Sequence, residues 1–99
     1  MFLDKYKNDI NRLCLENKVK YLYVFGSVLK DSFNDTSDVD LVVDINSNDP
    51  LEYANYYFNL KFSLQDLLKR RIDLLENKAI RNPYIKENID RTKTLIYGA

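Results

Sequence analysis

The stretch Asp38–Ile45, DVDLVVDI, constrains this chain more than any other eight residues. Val39, Leu41, Val43 and Ile45 fall on one face of a strand, and Asp38, Asp40, Val42 and Asp44 fall on the other. A buried strand that opens on two carboxylates needs a reason. It also follows a Gly-Ser pair, Gly26-Ser27, by ten residues in a chain with only two glycines.

The rest of the sequence supplies elements to pack around that strand. Phe2, Leu3, Tyr6, Ile10, Leu13 and Cys14 recur at three- and four-residue spacing and predict an amphipathic helix over 2–17, with Cys14 as a buried structural thiol. VKYLYVF (19–25) is rich in β-branched and aromatic side chains and predicts a strand that Gly26 stops. A short helix capped by Ser27 is expected over 27–31, then loop chemistry over 32–37. After the loop NSNDP (46–50), a long helix is predicted over 51–69, with Tyr53 or Tyr56 as an outward partner surface. Lys69, Arg70 and Arg71 read as its solvated end. RIDLLE (71–76) predicts a third strand. Asn82-Pro83 opens a last helix expected to run to Tyr97 and to stop at Gly98. This order predicts an α/β or α+β fold: one domain over 1–99, with a small three-stranded sheet and helices packed on it.

Lys plus Arg equals Asp plus Glu, at 15 each, so the formal net charge is zero. Direct nucleic-acid binding is not expected, because its usual sign is a basic excess; a single nucleotide needs only a local phosphate site. No apolar run approaches the roughly 20 residues of a membrane span, and the first residues do not read as a secretory signal. With one cysteine there is no internal disulfide, which fits a reducing cytoplasm. There is no histidine, so a Ser-His-Asp triad or a zinc-histidine site is excluded.

Asp38 and Asp40, two apart on a strand, leave the same face. Their like charges repel unless a cation is present, and oxygen-only ligands suit magnesium or manganese. An isolated pair of this kind is also what a solvated strand end looks like. Asp73, between Ile72 and Leu74, faces away from the core if those two face it; in neighbouring strands the three carboxylates would converge, as a two-metal phosphoryl-transfer centre requires. Alone, Asp73 reads equally well as an edge-strand charge. Gly26 permits close backbone approach to a ligand, Ser27 adds a hydroxyl beside backbone N–H groups, and Lys30 adds a point charge: the parts of a phosphate cradle. Asp44 reads as a strand-end acid rather than a ligand.

FGSVLKDSFNDTSDVDLVV thus carries the pattern G-S-x10-D-x-D. It resembles the nucleotidyltransferase superfamily related to DNA polymerase β. KRRIDLLENKAI and the closing NPYIKENIDRTKTLIYG extend the resemblance, over nearly the whole chain, to the minimal nucleotidyltransferases of bacteria and archaea. The resemblance implies a short mixed sheet flanked by helices. It implies a triphosphate-binding turn at Gly26 and Ser27, metal-binding carboxylates at Asp38 and Asp40, and a third carboxylate at Asp73 that favours deprotonation of the attacking hydroxyl. Two magnesium ions, or manganese, and ATP or another NTP are the implied cofactors and substrate. The implied partner is a helical HEPN toxin whose tyrosine receives AMP, with this chain as antitoxin. Where many relatives carry arginine after G-S and a glycine further on, this chain has Val28 and Asp31. Those two residues favour a second reading, an antitoxin that neutralises its toxin by contact.

Overall fold

A computed structural model describes residues 1–98. Strands β1 (Val19–Phe25), β2 (Val39–Ile45), β3 (Ile72–Glu76) and β4 (Thr94–Tyr97) form one sheet of order β3-β2-β1-β4. β1 pairs antiparallel with β2 and with β4, and β2 pairs parallel with β3. Parallel neighbours need a crossover, and helix α2 (Pro50–Leu68) provides it. Asp49 caps α2 by accepting from the Leu51 and Glu52 amides at 3.0 and 3.4 Å, and Pro50 takes the first turn.

The alternation read from the sequence decides which face is packed. Val39, Leu41, Val43 and Ile45 join Leu22 and Val24 of β1 and Ile72 and Leu74 of β3 in one core cluster. Helix α1 (Lys7–Glu16) adds Ile10, Leu13 and Cys14 to it, and α2 adds Leu60, Leu64 and Leu68. The one buried polar side chain among the described residues, Asn17, is satisfied: its amide donates to the Leu13 carbonyl at 2.8 Å and accepts from Asn59 at 2.7 Å.

Cys14 is fully buried, as expected, and burial pushes its thiol up to about 12. In the unfolded chain it ionises near the ordinary value of 9.0. Between those values the unfolded state binds fewer protons, so stability should fall as pH rises above 9.0. Iodoacetamide at pH 8 should leave native Cys14 unmodified and alkylate it fully in denaturant, as read by mass spectrometry; rapid native labelling would contradict the burial.

Two helices differ from expectation. The first begins as a 3-10 segment, Phe2–Tyr6, before α1 starts at Lys7. The last, α3 (Pro83–Thr92), is capped by Asn82 as predicted, but it stops five residues before Tyr97. Lys93 turns to extended backbone (ψ 146°), and Thr94–Tyr97 form β4 instead, giving the sheet four strands rather than three. Ile85, Ile89 and Ile96 keep a helical spacing, but TLIY is rich in β-branched and aromatic side chains and covers the outer edge of β1. Gly98 therefore follows a strand rather than a helix.

Candidate functional site

The N-terminal ends of β2 and β3 meet the turn that leaves β1. In the parallel ladder Asp40 stands opposite Asp73, and in the antiparallel ladder it stands opposite Phe25, the residue before Gly26. Residues opposed across a ladder share a face. Asp40 and Asp73 therefore project together from the face away from the core cluster. Farther along that face Val42 is buried, outside that cluster, as is Ile89 of α3. The Lys93 ammonium lies 4.2 Å from the ring centre of Tyr23, which is opposite Val42. α3 thus covers the middle of the face and leaves Asp73 exposed and Asp40 half-buried at its end.

Gly26 has φ +70°, and a Cβ there would stand 2.5 Å from Asp40 Oδ2. Only glycine satisfies both the backbone and the gap. The next residues close a single 3-10 turn, Gly26–Leu29, with the Lys30 amide donating to the Ser27 carbonyl at 3.1 Å. Ser27 does not cap it. Its hydroxyl donates across the site to the Asp38 carbonyl at 2.8 Å, so the Gly-Ser turn and the acid pair are tied directly. Val28 is buried in the core, and Lys30 and Asp31 are exposed.

Asp40's carboxyl is pushed above its ordinary value, first by burial and then by the negative charges of Asp73 and Asp38; the Ser27 backbone N–H and the Lys30 ammonium oppose the rise. Of the six residues singled out in the sequence, Asp40 stands opposite Asp73 and against Gly26, Ser27 is bonded to the backbone carbonyl of Asp38 just before β2, and the charges of Asp38 and Lys30 act on Asp40. Asp44 is apart from them and pairs with Lys78 at 3.6 Å.

A divalent ion fits this donor set. A desolvated carboxylate that two neighbouring acids repel is the environment a cation relieves, and all the donors are oxygen. Among the described residues no three such side chains are already gathered into a cluster that could hold an ion.

Two surface features depart from the sequence reading. Arg70 is not solvated: its side chain is 11% exposed and lies against Phe2 and Phe33. No local signal marks it, because both aromatic partners are distant in the chain. The exposed aromatics of α2 are Phe58 and Phe62, whose rings stack at 6.2 Å, rather than Tyr53 or Tyr56. Tyr53 has a buried hydroxyl, and Tyr56 carries Lys18 over its ring.

Comparison with known proteins identifies the family. The family described as "Polymerase beta, Nucleotidyltransferase" matches residues 8–99. A Methanocaldococcus jannaschii protein named "putative protein adenylyltransferase" is 33% identical over 99 residues, covering 96% of this chain and 89% of the relative. Another of the same name and organism is 38% identical over 82 residues, covering 81% and 76%. Among solved structures, one described as a "putative minimal nucleotidyltransferase" superposes with TM-score 0.72 at 27% identity, over 93% of this chain and 90% of that one. The fold also matches a Shewanella oneidensis complex of an MNT antitoxin with a tri-AMPylated HEPN toxin, with TM-score 0.67 at 20% identity, over 100% of this chain and 74% of that one. With the match spanning nearly its whole length, the chain belongs to the polymerase β-type nucleotidyltransferase family.

Proposed function

We propose that this nucleotidyltransferase moves AMP from ATP to a tyrosine hydroxyl of a helical HEPN-type toxin and so acts as its antitoxin, in the cytoplasm. What supports the reading is that Asp40 stands opposite Asp73 and against Gly26, with the Ser27 hydroxyl bonded to the Asp38 carbonyl. Relatives named as protein adenylyltransferases, and the AMPylated toxin in a structure of the same fold, support the choice of AMP and of a protein acceptor. Among the described residues no helix is long and apolar enough to cross a membrane.

Asp38, Asp40 and Asp73 would hold one magnesium or manganese ion, and Asp38 and Asp40 a second. Bound there, the ions supply a lower pKa at the acceptor hydroxyl and neutralise triphosphate charge. The chain's own residues do the rest. Gly26 lets the triphosphate approach the backbone, where the Ser27 N–H and the Lys30 ammonium meet its oxygens. Asp73, the most exposed of the three acids by its open position on β3, accepts the proton as the acceptor oxygen attacks the α-phosphorus and pyrophosphate leaves. Positioning and fixed charge account for most of the acceleration.

Incubation with α-labelled ATP, magnesium and the cognate helical protein should transfer label to a tyrosine of that protein. Absence of label from a folded pair would refute the reading. Val28, packed in the core and offering the triphosphate no cation, and the exposed acid Asp31 beside Lys30 favour neutralisation by contact as the second reading. Toxin neutralisation that survives loss of ATP binding would select it.

A further inference from the structure

We propose that Arg70 is a positioning residue: its guanidinium fixes the loop 30–37, and through it the backbone of Asp38, relative to Asp73. The inference rests on the site reading above and adds a residue that neither the Gly-Ser turn nor the acids include.

Arg70 leaves the end of α2 three residues before Asp73. An arginine there would ordinarily extend into water. Instead its guanidinium carbon lies 4.5 Å from the Phe2 ring centre and 4.4 Å from that of Phe33. Its Nη1 donates to the carbonyls of Asn34 and Ser37, the latter at 3.0 Å, and Nη2 stands 3.8 Å from the Asp35 carboxylate. With 11% exposure and these partners, the side chain is committed to the loop rather than to a phosphate.

The loop it holds is a run of turns. The Phe33 amide donates to the Lys30 carbonyl at 3.1 Å, and the Ser37 amide to the Asn34 carbonyl at 3.1 Å. Asn34 Oδ1 accepts from the Thr36 amide at 2.9 Å and from its hydroxyl at 2.7 Å. The run delivers the chain to Asp38, where successive residues are each anchored. The Ser37 carbonyl is held by the Arg70 side chain, the Asp38 carbonyl by the Ser27 hydroxyl, and the Val39 amide by the Arg71 carbonyl at 3.0 Å. Two of these anchors come from the pair that leads directly into β3 and Asp73. Arg70 and Arg71 therefore set the position of one acid from the segment that carries another.

Lysine cannot replace this arrangement. An ammonium has no planar surface to lie on two rings, and it cannot set one nitrogen on the Asn34 and Ser37 carbonyls while a second faces Asp35. Groups that orient metal ligands without touching the metal are worth about 10–100-fold in affinity or activity.

The test is Arg70→Lys, with Mn²⁺ titrated by electron paramagnetic resonance in the presence of AMP-PNP. The titration is run at a temperature where circular dichroism shows wild type and variant folded. The apparent Mn²⁺ Kd should rise about 10-fold or more. A residue that only stabilises the fold would lower Tm and leave that Kd unchanged. If Arg70→Lys does not fold, Asn34→Ala decides: it loosens the same exposed turn without touching the Arg70 packing and should weaken Mn²⁺ in the same direction. An unchanged Kd there overturns the inference. Asp40→Asn is measured in parallel. Weakened Mn²⁺ in Asp40→Asn with none in the loop variants overturns the role of Arg70 alone; an unchanged Kd in all of them overturns the site reading as well.

Discussion

Asp40→Asn is expected to reduce nucleotidyl transfer by at least about 1,000-fold while the protein stays as stable as wild type, or becomes more so. If Asp40 holds a metal ion as proposed, its loss removes several kcal/mol of charge stabilisation in the transition state, and each 1.36 kcal/mol is about tenfold in rate. Stability should move the other way because Asp40 is half-buried beside two acids and its ionised form is disfavoured there. Asparagine keeps the shape and removes one repelling charge. Asp44→Asn is the control on the same strand face. It loses a partly buried contact with Lys78, away from the site, and should transfer at the wild-type rate. Transfer of labelled AMP and thermal denaturation, measured on both variants, separate the outcomes. A normal rate in Asp40→Asn would remove it from the site; an unfolded protein would make it a structural residue.

Gly26→Ala is expected to damage stability and transfer together, for separable reasons. At φ +70° a side chain costs about 1–2 kcal/mol, which lowers Tm by about 4–15 °C in a domain of this size. The new Cβ would also stand 2.5 Å from Asp40 Oδ2, so the carboxylate must shift by about 1 Å, and a misplacement on that scale costs about 100-fold in rate. Gly26→Asn distinguishes the two effects. Asparagine tolerates the left-handed backbone better, yet its Cβ occupies the same place. Its Tm should recover part of the loss while its transfer rate does not. Equal recovery of both would show that backbone strain alone explains the alanine result.

The sequence made β1, β2, β3 and α2 legible because each has a period or a boundary written locally: alternation in DVDLVVDI, β-branched and aromatic density in VKYLYVF, an Asp-Pro cap at the start of α2. The shared face of Asp40 and Asp73 was legible for the same reason, since the face an acid takes follows from which neighbours are apolar, whereas Gly26, Ser27 and Asp38 were marked by the G-S-x10-D-x-D pattern rather than by a period. What escaped depends on contacts far apart in the chain. β4 is four residues long, too short to show its own period, and exists because β1 has an edge to cover. Ser27 reads as a helix cap until the Asp38 carbonyl is brought across from 11 residues away. Arg70 reads as a charged helix end until the Phe2 and Phe33 rings are folded against it.

The parallel pairing of Asp40 with Asp73 has a consequence for how such a chain tolerates change in length. Side chains in a strand alternate, so which face an acid takes depends on whether an odd or even number of residues separates it from its apolar neighbours. One residue inserted between Ile72 and Asp73 would turn the acid toward α2 and bury it, although its sequence surroundings would barely change. One residue inserted in the loop 46–49 between β2 and α2 leaves every parity intact. Insertions and deletions in this lineage should therefore collect in the connections, where their length is free, and the arithmetic of odd and even inside β2 and β3 should stay fixed.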